Sequence, residues 1–241
     1  MSHQRMMQRL ARWHIWLGWL VGFPILMWTI TGLVMVVRPI EAVRGEHLLA
    51  PPPPIVAEGI VFPRIDDAIA GASLVQQRGG PVWLITAADG RRWRYSAVAG
   101  TAVPPVLKDE AQTIAQAAYA GQGALQSVTY FPADAAPLEL RRNVASWQAR
   151  FADGTNLYVD DTTGEVLAVR TRGWRVYDLM WGLHIMDLET REDTHHPLLI
   201  GFAAISVAGA LIGCILLFRR RKARPRGGLQ SRPQPGADAP A

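Results

Sequence analysis

Cysteine is almost missing from this chain. Of 241 residues only Cys214 is one, and it lies inside an apolar run. An intramolecular disulfide is therefore excluded, and CxxC metal motifs are absent as well. No Gly-x-Gly-x-x-Gly follows a strand-like run, so no nicotinamide or flavin fingerprint is visible. There is no His-Glu-x-x-His, no Ser-His-Asp set and no pair of acids at a recognisable catalytic spacing. Charge is scarce too: 19% of residues are Asp, Glu, Lys or Arg, and the mean hydropathy of +0.08 is high for a soluble domain. Two runs explain that value. From Trp13 to Val37 no charged residue occurs, and a second uncharged run extends from Pro197 to Phe218. Each is long enough to cross a bilayer core of roughly 30 Å at about 1.5 Å per helical residue.

Acids are missing from the flanks. Every Asp and Glu except Asp238 lies between the two runs, whereas Arg5, Arg9 and Arg12 precede the first and Arg219, Arg220, Arg221 and Lys222 follow the second. The net charge of +5 therefore reads as basic membrane flanks and not as a nucleic-acid surface. By the positive-inside rule both termini are expected on the cytoplasmic side of a bacterial inner membrane, with the central region in the periplasm. The first run has too long an apolar core for a cleaved signal peptide, and no small-x-small site follows Val37.

The chain then parses as follows. Residues 1–12 are a basic cytoplasmic lead, 13–37 transmembrane helix 1, and 38–60 a linker stiffened by Pro51 to Pro54. Residues 61–105 form a first module, with a helix expected over Ile65 to Leu74 and a hairpin turning at Ala88-Asp89-Gly90. Residues 106–170 repeat that pattern, with a helix over Glu110 to Ala120, a strand over Ser127 to Phe131 and a hairpin turning at Ala152-Asp153-Gly154. Without a gap, Trp83 aligns with Trp147, Asp89-Gly90 with Asp153-Gly154 and Gly100 with Gly164, which suggests two copies of one helix-plus-hairpin unit. Strands sharing a sheet with helices on one face make this an α+β region. Residues 171–196 comprise an amphipathic helix over Gly173 to Leu188, with Trp174, Tyr177, Trp181, His184 and Leu188 on the stripe expected along the outer membrane surface, and a His-rich entrance. Residues 197–218 are transmembrane helix 2, and 219–241 a basic, disordered cytoplasmic tail. Gly18 and Gly22, like Gly209 and Gly213, are spaced for close helix approach, and a homodimer through such faces is plausible.

Three stretches carry a family likeness: Arg12-Trp13-His14-x-Trp16-x-Gly18 continuing to Thr31-Gly32; Tyr158-Val159-Asp160-Asp161-Thr162-Thr163-Gly164-Glu165-Val166-Leu167; and Trp181-Gly182-Leu183-His184 leading into the closing span. On these the sequence resembles the PepSY-associated membrane-helix family. The resemblance implies two membrane helices bracketing two extracytoplasmic PepSY-like modules. That family includes ferric-siderophore reductases, which the resemblance suggests carry haem b on membrane histidines. It also implies a periplasmic protein or peptide, or a ferric siderophore, as partner. This chain departs from the larger members in having two spans where they have four.

The candidate residues follow. His14 is an ionisable group inside an apolar run, with Gly18 and Gly22 leaving room for a flat macrocycle, so it is a candidate haem ligand. The alternative is an interfacial ring bonded to lipid headgroups. His184 is the second cofactor candidate, against the alternative of a satisfied interfacial histidine. His195 and His196, beside Glu189, Glu192 and Asp193, form a mixed imidazole and carboxylate set suited to a metal cation, or else a solvated helix entrance. His14 and the other histidines differ by roughly 25 to 35 Å along a spanning helix, so one iron cannot bridge them. Two functions compete. One is haem-dependent electron transfer in a ferric reductase-type component. The other is a non-enzymatic anchored module that binds or restrains a periplasmic partner.

Overall fold

The computed structural model of the chain describes residues 3–56 and 58–222. They divide into two compact units: residues up to Thr29 together with those from Thr194 onward, and Ile30–Asp193. The expected tail beyond Lys222 lies outside the described residues.

The first unit is a pair of apolar helices. Helix α1 runs His3–Val37, its last residues belonging to the second unit, and α5 runs Pro197–Lys222. The helix α5 therefore continues four residues past the apolar run. Within Gln4–Val37 and Pro197–Phe218, windows of 18 residues reach mean hydropathies of 2.2 and 2.5. Trp16, Trp19 and Phe23 are at least 75% exposed. An outward surface of that kind is what a helix in lipid presents. Pro24 lies inside α1 without ending it.

The second unit holds two antiparallel sheets of four strands each. The first contains β1 (Ile69–Gln77), β2 (Gly80–Ala87), β3 (Arg92–Ser96) and β4 (Ala102–Val103). The second contains β5 (Leu125–Phe131), β6 (Ser146–Phe151), β7 (Asn156–Asp160) and β8 (Val166–Arg170). Strand order follows chain order in both, so the strands do not share one sheet as expected.

The gapless repeat is structural. Trp83 and Trp147 lie in the second strand of their sheets, and each indole N–H donates to a main-chain carbonyl at 2.9 Å, Val61 in one half and Val106 in the other. Both Asp-Gly turns carry glycine at positive φ, 87° at Gly90 and 84° at Gly154. Both Asp carboxylates accept the backbone N–H two residues on, Arg91 at 3.0 Å and Thr155 at 2.9 Å. This is Asx-turn chemistry at a hairpin.

The halves differ at their entrances. Between Val106 and Leu125 the chain holds α3 (Lys108–Ala118). Its Ala111 and Ala115 pack on Val128, Ala149, Phe151, Leu157 and Val159. Between Val61 and Ile69 only residues 62–68 are available, Pro63 among them. The helix expected over Ile65 to Leu74 is absent. Its latter part is β1, paired with β2 from Ile69↔Ala87 to Gln77↔Gly80. A short Ala- and Gly-rich stretch is marginal as a helix, while a ladder satisfies its backbone. Phe62 instead meets the edge of Trp83, with ring centroids 5.2 Å apart. The first module is thus a sheet without a helix.

The linker is also more structured than expected. It contains α2 (Ile40–Arg44) and a 3-10 turn over Glu46–Leu48, and Leu49 bridges to Tyr119. Helix α4 (Arg172–His184) is capped by Thr171, whose hydroxyl accepts from Trp174 N at 2.9 Å. It ends at His184, short of the expected Leu188. Asp187 ends it: its buried carboxylate accepts the backbone N–H groups of Glu189, Thr190, Glu192 and Asp193 and the Thr190 hydroxyl.

Candidate functional site

In the first unit His14 points from α1 onto α5. Its Nδ1 lies 3.1 Å from the Gly209 carbonyl oxygen. A carbonyl only accepts, so Nδ1 carries the proton and a neutral ring keeps its lone pair on Nε2. The ring fits because residue 213 has no side chain. A Cβ on Gly213 would stand 2.8 Å from His14 Cε1 and 3.4 Å from Nε2. Gly18 and Gly22, the glycines expected to make room beside His14, have nothing within 4 Å of where a Cβ would sit. The receiving glycines are on the other helix.

In the second unit His184 closes α4, with Nδ1 2.9 Å from Thr31 Oγ1. A Cβ on Gly32 would lie in ordinary contact, 3.6 Å from His184 Cε1. Thr31-Gly32 and Trp181-Gly182-Leu183-His184, two stretches far apart in sequence, therefore meet. Gly182 makes room for the loop that follows: a Cβ there would stand 2.9 Å from Arg191 Cγ and 3.0 Å from the Asp187 carbonyl oxygen.

His14 and His184 are held by separate partners. His195 is exposed, with Nδ1 3.4 Å from the Thr194 hydroxyl. His196 immediately precedes α5, and its Nδ1 is buried without a hydrogen-bond partner. Among the described residues no group of three or more His, Cys, Asp or Glu is placed to hold a metal ion.

Sequence reasoning missed a polar cluster where the second sheet meets α4. Glu139 Oε1 accepts from Tyr158 Oη at 2.6 Å and Asn156 Nδ2 at 2.5 Å, and Oε2 accepts from Arg175 Nε at 2.8 Å. Burial alone would raise the Glu139 carboxyl, but these donors outweigh it and hold its pKa below the ordinary value. Burial, then the Glu139 charge, pushes the Tyr158 phenol well up. Arg170 donates to the Glu139 carbonyl at 2.5 Å and lies over the Trp174 ring at 4.3 Å. Asp178, buried in α4, takes both Arg141 and Arg191. The Asp187 carboxyl is held far below its usual range, first by the Thr190 hydroxyl and then by backbone N–H groups against a burial cost.

A cleft of about 540 Å³ opens between the β1–β2 turn and α3, with Gln77, Arg78, Arg94, Asp109, Glu110 and Thr113 in its wall. Arg94 is only 2% exposed. It donates to both Glu110 carboxylate oxygens at 2.6 and 2.9 Å, to Gln77 Oε1 at 3.1 Å and to the Pro104 carbonyl at 2.8 Å.

Compared with known proteins, the chain matches the family described as PepSY-associated TM region across residues 11–236. No curated protein and no solved structure matches it.

Proposed function

We propose that this chain, which belongs to the PepSY-associated transmembrane family, carries electrons through b-type haem on His14 and His184 toward ferric iron or a ferric siderophore. In this reading it is a two-span bacterial inner-membrane protein. Both basic flanks face the cytoplasm and Arg38 to His196 faces the periplasm, as the placement of acids and bases supports.

The observation that carries the reading is the bond from His14 Nδ1 to the Gly209 carbonyl. It supports the tautomer whose Nε2 lone pair would be free to hold haem iron. Bound haem supplies a one-electron couple, and the protein sets its potential through the ligand and its hydrogen bonds. The chain's own residues orient the rings: Gly209 anchors His14, Gly213 leaves it room, and Thr31 holds His184. A second copy, docked through the open Gly18 and Gly22 face, supplies the further ligands that two spans lack.

The test is an absorbance spectrum of the full chain purified from cells supplied with haem. A Soret band and a reduced-minus-oxidised signal are expected. His14→Ala and His184→Ala lose or shift them while far-ultraviolet circular dichroism stays unchanged. A purified chain with no Soret band overturns the reading.

A second reading, an anchored module that binds a periplasmic protein or peptide, is favoured by the cleft beside Glu110 and Arg94. A photo-crosslinker at Thr113 tests it. An adduct with one discrete periplasmic species supports it, and no adduct beyond background ends it.

A further inference from the structure

Helix α4 presents an outward stripe that water does not explain. Arg172, Val176 and Leu179 are exposed and Leu183 is half-buried, at helical spacings that place them on one face. Val176 is 56% and Leu179 42% exposed. Beyond Arg172 in the first turn that stripe carries no charge. The opposite side is spent on the protein: Asp178 and Gly182 are buried, and Trp174, Tyr177 and Trp181 are half-buried, with Trp181 donating to the Arg191 carbonyl at 3.0 Å. The aromatic stripe expected at the membrane surface is therefore turned partly inward, and an aliphatic one faces out.

The position of α4 against the end of α1 says what covers that stripe. At the start of α4, Gly173 lies beside Arg38: a Cβ there would stand 2.9 Å from the guanidinium. At its end, His184 lies on Thr31 and Gly32. Along α1, Thr31 and Gly32 precede Arg38 by about two turns, roughly 10 Å toward the apolar run. Arg38 is the first charge after that run and marks the headgroup level. Helix α4 thus starts level with Arg38 and descends alongside α1. In this last part of α1, Leu33, Val36 and Val37 are 60%, 79% and 69% exposed, an apolar surface of the kind a spanning helix presents to lipid.

We infer that α4 is embedded in the leaflet on its own side of the membrane, with Val176, Leu179 and Leu183 in the boundary between headgroups and acyl chains. Arg172 stays among the headgroups, where a basic residue meets anionic lipid. The occupant is lipid because α4 ends beside Thr31 and Gly32, which lie inside the uncharged run that crosses the bilayer. A second copy or another protein is the alternative that the experiment separates.

The test uses the full chain carrying Cys214→Ser, with one new cysteine at Val176, Leu179 or, as a water-facing control on α3, Gln116. Each is labelled with a polarity-sensitive fluorophore and reconstituted into vesicles of phosphatidylethanolamine and phosphatidylglycerol. Labels at Val176 and Leu179 are expected to emit blue-shifted light. Nitroxides attached high on the acyl chain should quench them several-fold more than the label at Gln116, and aqueous iodide several-fold less. Two outcomes overturn the inference. In one, Val176 and Leu179 labels behave like the Gln116 label, which places the stripe in water. In the other, they are shielded from both quenchers, which places it under protein. These readouts are independent of haem, so the inference stands or falls apart from the electron-transfer reading.

Discussion

Gly213 is the residue on which the His14 ring depends. A methyl group there would stand 2.8 Å from Cε1, closer than packed carbons come, so the ring or the helix must move. Moving the ring gives up the bond to the Gly209 carbonyl. Gly213→Ala is expected to lower stability by about 1 to 3 kcal/mol, as overpacking does, and to displace any signal that depends on His14. Gly209→Ala, whose Cβ would meet Leu17 Cβ at 3.8 Å, should stay within about 0.5 kcal/mol. Thermal unfolding of the two variants in detergent checks this, and equal loss in both sinks it. Glu139 makes a second residue-scale prediction. Its pKa is lowered by folding, so its stabilisation is fully present above the unfolded value of about 4.3 and is lost as pH falls through the folded value. The melting temperature should therefore hold from neutral pH to mildly acidic and then drop. Glu139→Ala, which removes the carboxylate that pairs with Arg175 and accepts from the Tyr158 phenol, should cost about 2 to 4 kcal/mol at neutral pH and flatten the acid limb. An unchanged acid limb would refute the assignment. His14 was legible in sequence because an ionisable ring in an uncharged run stands out. Its partners Gly209 and Gly213 were not, since only the pairing of α1 with α5 makes them neighbours. Glu139 carried no spacing signal at all: its donors come from β6, β7 and α4.

At the scale of elements, the two Asp-Gly hairpins were readable because each turn needs glycine at positive φ beside a carboxylate that caps the next amides. The repeat was readable for the same reason, with Trp83 and Trp147 as its fixed points. The missing first helix was not. The run Ile65 to Leu74 has a composition compatible with a helix, and only the ladder to β2 decides against it. The end of α4 was hidden too, because Asp187 looks like any loop acid until five donors converge on it. The paired tryptophans make a prediction about the repeat. Each indole satisfies one carbonyl of the segment entering its sheet. Trp83→Phe and Trp147→Phe keep most of the apolar area and remove that donor, and each should cost about 1 to 2 kcal/mol. The Trp147 variant should also loosen the approach to α3, which begins just after Val106. Hydrogen exchange of the α3 amides reads this: faster exchange is expected in Trp147→Phe and not in Trp83→Phe. Identical α3 protection in both would show that the two tryptophans do not act locally.

At the scale of the molecule, the two repeats are joined to each other by contacts that come largely from β3. Arg92 reaches Asp160 at 3.4 Å and pairs with Glu165, both in the second half. Arg94 pairs with Glu110 on α3, and Gln77 donates to the Thr163 carbonyl at 2.7 Å. The Arg94 pair is lopsided: the guanidinium side chain is 2% exposed and the Glu110 side chain 42%. Removing the acid leaves a buried cation with only neutral acceptors, whereas removing the cation leaves an acid that water reaches. Glu110→Ala should therefore be the more damaging change, about 3 kcal/mol, and Arg94→Met, which keeps the buried stem, about 1 to 2 kcal/mol. Combining them removes both charges, so the double variant should be no less stable than Glu110→Ala alone. Thermal unfolding of the three detergent-solubilised proteins measures the order. If Glu110→Ala melts with the parent while Arg94→Met falls sharply, the buried charge does not hold the repeats together, and the apolar wall around it must.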